Sequence, residues 1–140
     1  FFFDFGLLKI LRESAVPDLR VLTTIDAGSR TALGGVIENF TAAELSAMDY
    51  KFSGWKKSST GTEVDFVIKS KGRAFPVECK AAVKITPRNL AGIKNYFEIN
   101  EADTGFIVSA ARFGVFNAGG GRKIYNIPLY SLNSIQSFLK

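Results

Sequence analysis

Between Thr31 and Met48 the residues Leu33, Val36, Ile37, Phe40, Ala47 and Met48 recur at 3.6-residue spacing, which predicts a helix with one apolar side. That side needs a sheet to cover. Strands are predicted next, at Tyr50 to Lys56, Glu63 to Lys69 and Ala74 to Lys80, divided by the turn-forming runs Ser58-Ser59-Thr60-Gly61 and Ser70-Lys71-Gly72. The latter two strands are expected to form a hairpin. Thr86 before Pro87 marks a second helix start, running to about Ile99, and Thr104 to Ser109 reads as a buried strand. Asn117-Ala118-Gly119-Gly120-Gly121 reads as a flexible loop, Lys123 to Ile127 as a last short strand stopped by Pro128, and Ser131 as the start of a closing helix. Upstream, residues 5 to 13 suit a short helix that ends before Pro17. The order is α-β-β-β-α-β with decoration at both ends, an α/β domain whose central sheet is flanked by helices.

Composition narrows the setting. At 140 residues and 46% hydrophobic, residues 1–140 suit one compact domain that buries ~68–70% of the surface its unfolded chain exposes. The chain opens on Phe1 rather than Met, so it reads as a fragment of a longer protein. Its most apolar stretch, residues 1 to 11, is interrupted by Asp4 and Lys9 and falls short of the ~20 residues a membrane span needs. No basic segment and small-residue cleavage site mark a signal peptide. A soluble, cytoplasmic protein is expected. With Cys79 alone and no histidine, an internal disulfide, a zinc finger and a Cys-His catalytic pair are all excluded. A net charge of +5 with 18 basic residues suits an anionic partner such as nucleic acid, although it is also a common route to solubility.

Strand periodicity gives the charged residues their meaning. In Val77-Glu78-Cys79-Lys80, Glu78 and Lys80 project to one face and Val77 and Cys79 to the other. Asp65 lies in the apolar run Glu63-Val64-Asp65-Phe66-Val67, where an ionised carboxylate needs a partner, and the expected hairpin brings it towards Glu78. Two neighbouring carboxylates repel, and Lys80 offsets one of them, so a divalent cation is the natural complement. Oxygen ligands without histidine favour Mg²⁺ or Mn²⁺ over zinc. A metal held there can polarise a phosphodiester and activate water while Lys80 steadies developing negative charge, which is nuclease chemistry. On its own, Glu-x-Lys is equally the pattern of a solvated strand face.

Asp65 followed by Glu78-Cys79-Lys80 resembles the metal site of the PD-(D/E)xK nuclease superfamily. Gly35-Val36-Ile37-Glu38-Asn39-Phe40 is similar to the helix that adds a glutamate in the archaeal-type Holliday junction resolvases, with Glu38 as its match. A longer set resembles the C-terminal domain of a large family of prokaryotic P-loop ATPases: Phe3-Asp4-Phe5-Gly6-Leu7-Leu8, Gly34-Gly35, Glu38-Asn39, Glu44-Leu45, Trp55-Lys56, Glu63-Val64-Asp65-Phe66, Pro76-Val77-Glu78-Cys79-Lys80 and Ile127-Pro128-Leu129-Tyr130. The resemblance implies a restriction-endonuclease-like α/β core following an ATPase module of the same chain. It also implies a site of Asp65, Glu78, Lys80 and Glu38, with Asp65, Glu78 and Glu38 on Mg²⁺ or Mn²⁺ or its water. The function implied is a magnesium-dependent nuclease-like domain that cuts or binds nucleic acid, or a catalytically inactive accessory of the ATPase. Val64 stands where the superfamily name has proline, and Tyr96 lacks the glutamine of the RecB-like Gln-x-x-x-Tyr helix.

Further positions stay open. Glu44 falls within the Leu33, Ile37, Phe40 stripe and Glu38 on its flank with Leu45, so the two acids cannot both face one metal; the Gly-x-x-Glu-Asn context favours Glu38. Trp55 belongs either to the site mouth or to the core. Lys56, Lys57 and Ser58 are candidates for phosphate contacts, or simply solvated. The same holds for Lys69, Lys71 and Arg73 at the hairpin turn. Gly119 to Lys123 lacks the Gly-Lys-Ser/Thr ending of a nucleotide cradle and is assigned none.

Overall fold

A computed structural model describes residues 27–59 and 61–139, with the side chains of the first helix from Leu33 onward. The short helix expected at residues 5 to 13 and the opening Phe3 to Leu8 motif lie outside the described residues.

Helix α1 spans Ala27–Ala47, starting four residues before the expected Thr31. Its buried face carries Leu33, Val36, Ile37, Ala42 and Leu45, with Thr41 fully enclosed. Phe40 and Met48 are only partly buried, and Ala47, expected on this face, is exposed. The stripe is therefore rotated towards Leu45.

The sheet follows as β1 (Phe52–Lys56), β2 (Glu63–Ser70) and β3 (Arg73–Lys80). Lys71 and Gly72, with φ of 50° and 76°, form the two-residue hairpin turn between β2 and β3, a conformation suited to the right-handed twist of paired strands. Thr86 does mark a helix start. Its backbone N–H and hydroxyl both donate to Asn89 Oδ1 at 2.8 Å, but Pro87–Leu90 is a 3-10 turn, and helix α2 occupies only Ala91–Ile99. Strand β4 (Thr104–Ser109) matches its expected limits.

The C-terminal part departs from the sequence reading. The expected flexible loop is instead the end of a strand, β5 (Gly114–Gly119), and a turn leading into β6 (Arg122–Pro128). Gly119, Gly120 and Gly121 have φ of 85°, 58° and 78°, so the glycine run supplies the left-handed backbone of a hairpin rather than flexibility. Nor does a helix begin at Ser131. Tight 3-10 turns start at Leu129, and Ser131 is their kink, with φ −129° and ψ 28°.

The six strands form one mixed sheet in the order β1-β2-β3-β4-β6-β5. Only β3–β4 and β4–β6 are parallel. α1 and the C-terminal turns cover one face through Leu33, Ile37, Leu45, Leu132 and Ile135 over Phe66, Phe75, Val77 and Phe106. α2 covers the other through Leu90, Ile93, Tyr96 and Phe97 over Val64, Val67, Ile107 and Ile124. The chain is thus an α/β protein with a central mixed sheet flanked by helices. Among the described residues, no helix is long and apolar enough to cross a membrane.

Candidate acidic site at the end of strands β2 and β3

Strand pairing changes step at Asp65. Ser53 faces Val67 and Trp55 faces Val64, so two steps along β1 match three along β2, and Asp65 with Phe66 forms a bulge opposite Gly54. The faces switch accordingly. Val64 packs on the α2 side while Phe66, two residues on, packs on the α1 side. Pairing of β2 with β3 reaches Phe66 opposite Val77, and beyond it the Asp65 carboxylate accepts the Cys79 backbone N–H at 2.6 Å. A side chain thus replaces a strand carbonyl, and an acid is fixed in the gap between two diverging strands.

Alternation in β3 holds as expected. Cys79 points to the α1 side, where its thiol donates to the Thr41 hydroxyl at 3.4 Å. Glu78 lies beneath α2, close enough for a side chain at Gly92 to touch its Oε2. The Glu78 side chain is only 9% exposed, and its Oε1 accepts a charged hydrogen bond from Lys80. Its Oε2 is buried without a hydrogen-bond partner. The structure therefore brings together Asp65, Glu78 and Lys80.

Electrostatics reflects this crowding. Burial, and then the Asp65 charge, push the Glu78 carboxyl up to about 7 from its ordinary 4.5, against the pull of Lys80. Asp65 is raised too, chiefly by burial, although the Cys79 N–H and Lys80 hold it back. Burial works against the Lys80 charge, but the hydrogen bond and attraction to Glu78, with help from Asp65, lift its pKa. One ammonium does not compensate two carboxyls, one buried and one half-buried. A divalent cation fits that imbalance, since Glu78 Oε2 is an unused donor and the Cys79 contact leaves Asp65 its second oxygen. Among the described residues, however, no three of His, Cys, Asp and Glu stand together as a group that could hold a metal ion.

Glu38 is placed differently from the other three. Glu38, Thr41 and Leu45 share one side of α1, and Thr41 touches Cys79, so Glu38 approaches β3 from the α1 face. Its charge is felt at the Cys79 thiol, whose pKa is raised by burial first and by Asp65, Glu38 and Glu78 after it. Glu78 and Lys80 occupy the opposite face. The charges acting on Glu78 are those of Asp65, Lys80 and Glu63, and Glu44 is not among them.

Trp55 is half-buried and packs against the core, edge-on to Tyr96 with ring centres 5.1 Å apart. Lys56, at the end of β1, pairs with Glu63 at 3.4 Å, and both are largely exposed. It therefore borders the site through Glu63. Lys57 backbone groups close the following turn, its N–H donating to Thr62 O at 2.7 Å, and Ser58 is exposed. At the far hairpin, Arg73 is engaged by Asp103 and lies 5.2 Å from the Phe75 ring centre. Sequence reasoning did not single out Gly92, whose lack of a side chain admits Glu78 beneath α2.

One family model matches the chain, that of a domain of unknown function (DUF4143), over residues 33–130. No curated protein matches it.

Proposed function

We propose, from the premise that the chain belongs to the DUF4143 family, that this domain is a PD-(D/E)xK-type, divalent-cation-dependent nuclease-like module acting on nucleic acid. The observation that carries the reading is the buried, unpartnered Glu78 Oε2 beside Asp65, with Lys80 on the other Glu78 oxygen. The succession α1-β1-β2-β3-α2-β4 supports a restriction-endonuclease-like core, since the acids sit on the second and third strands as that reading requires.

Glu78 and Asp65 are the residues that would hold Mg²⁺ or Mn²⁺. Such a cation supplies Lewis-acid polarisation of a phosphodiester and a more acidic water. Lys80, already paired with Glu78, carries the positive charge that a phosphate oxygen meets on entering. Glu38, across β3, is assigned to the cation's hydration shell. Lys56, Lys57 and Ser58, around the end of β1, are assigned to the nucleic-acid backbone. We further propose, on the resemblance to C-terminal domains of prokaryotic P-loop ATPases, that the domain works in the cytoplasm in the service of an ATPase module of the same chain.

Incubation of single-stranded, duplex and branched DNA and RNA with Mg²⁺ or Mn²⁺ is expected to give cleavage that Asp65→Ala and Lys80→Ala each abolish. Metal-dependent cleavage that survives both substitutions would rule out this site. A second reading, a non-catalytic accessory of the ATPase, is favoured by the absence of a three-ligand group among the described residues. Calorimetric titration separates the two. An absence of both binding heat from Mg²⁺ or Mn²⁺ and cleavage would favour the accessory role.

A further inference from the structure

Helix α2 lies unusually close to the sheet at two glycines. A Cβ at Gly105 of β4 would meet Ile93 Cγ2 at 2.5 Å, Phe97 Cζ at 3.1 Å and Pro76 Cγ at 3.2 Å. That contact is purely apolar. A Cβ at Gly92, on α2 itself, would instead meet the Glu63 carbonyl oxygen at 3.0 Å and Glu78 Oε2 at 3.2 Å. The second contact lies on the one buried side-chain polar atom without a hydrogen-bond partner among the described residues, in a side chain only 9% exposed.

We infer that Gly92 is a positioning residue for Glu78: the missing side chain lets the carboxylate lie back under α2, with Oε2 held ready for a divalent cation instead of displaced towards Asp65. The inference rests on the reading of Asp65 and Glu78 as a cation site. Its physical basis is steric and specific. Oε1 is tied to Lys80, so Glu78 cannot swing freely, and a methyl group at Gly92 would press on both the backbone oxygen of Glu63 and Oε2, each of which would have to give by a few tenths of an ångström. Cation sites are sensitive to shifts of that size in a ligand's support.

The test compares two glycines that both admit α2 but differ in what they touch. Mn²⁺ binding to the full chain is measured by calorimetry for wild type, Gly92→Ala and Gly105→Ala, with urea unfolding in parallel. Gly92→Ala is expected to weaken Mn²⁺ binding by about tenfold or more, whereas Gly105→Ala lowers stability and leaves Mn²⁺ affinity within about twofold of wild type. Equal weakening by both variants would reduce Gly92 to a packing residue and overturn the inference, as would unchanged binding by Gly92→Ala. Wild type that binds no Mn²⁺ would overturn the cation site itself, and this inference with it. A readout without metal uses the Glu78→Ala background, in which the destabilisation caused by Gly92→Ala should shrink because Oε2 is gone. If Gly92→Ala alone fails to fold, a folded Gly92→Ala/Glu78→Ala protein supports the inference, and an unfolded one overturns it.

Discussion

Glu78 makes the metal-free protein less stable as pH rises, and the size of the effect follows from its surroundings. Its carboxyl is pushed up to about 7 in the folded chain from an ordinary 4.5. A folded-state pKa above the unfolded value means that the folded chain holds the proton more tightly. The contribution is fully present below the unfolded pKa and is lost as pH rises through the folded one. A difference of about 2.5 units corresponds to about 3 kcal/mol between the two limits. Glu78→Gln keeps the shape and removes the titration. Urea unfolding of both proteins in chelator, from about pH 4 to about pH 8, should show the variant gaining on wild type by about 2–3 kcal/mol, mostly above pH 5. Asp65 shares the repulsion, so the gain belongs to the pair. Mn²⁺ at about 100 times its dissociation constant should return about 2.7 kcal/mol to wild type alone. Stability curves that stay parallel between about pH 5 and about pH 8 would refute the account of Glu78 as a buried carboxyl without sufficient countercharge.

Two further outcomes follow from other buried polar groups. Asn126 is fully buried, accepts the Ser109 hydroxyl at 2.7 Å and donates to Ala111 O at 3.2 Å and Arg112 O at 2.8 Å; Asn126→Ala should cost about 2–3 kcal/mol in urea unfolding by leaving those groups unpaired, and a loss under about 0.5 kcal/mol would contradict the clamp. Cys79 is buried and its thiol pKa is raised well above the ordinary value, so a thiol reagent should label it at the rate of unfolding; prompt labelling of the native protein near neutral pH would show that the Thr41–Cys79 contact opens.

The charged pair on β3 was legible because period-two alternation fixes Glu78 and Lys80 on one face whatever the rest of the fold does. Likewise, hydrophobic spacing placed α1 and the first four strands to within a few residues. Where local signals compete, periodicity and turn propensity do not decide between them. Glycine is a strand breaker, which favours a loop at Asn117-Ala118-Gly119-Gly120-Gly121, yet paired glycines are also a hairpin signal, and β5 ahead of them gains its register by pairing with β6. α1 turns its Leu45 side inward, into one cluster with Cys79, Phe106 and Val108, and leaves Ala47 exposed, since spacing alone does not reveal the partner's shape.

The bulge at Asp65 is the step that sequence periodicity could not supply, and the site depends on it. In an unbroken strand, Val64 and Phe66 would share a face and Asp65 would take the other as one more alternating side chain. Instead the extra residue opposite Gly54 turns Val64 towards α2 and Phe66 towards α1, and Asp65 is left at the crossover with its carboxylate on the Cys79 N–H. Asp65 consequently grips the backbone between the two residues whose side chains carry the charge, Glu78 and Lys80. A substitution at Asp65 therefore removes an acid and also frees the Cys79 N–H that lies between the other two. Any loss of cleavage in Asp65→Ala would have both causes, whereas Lys80→Ala should leave the Asp65–Cys79 contact in place. Agreement between the two variants is what ties any cleavage to the charges themselves.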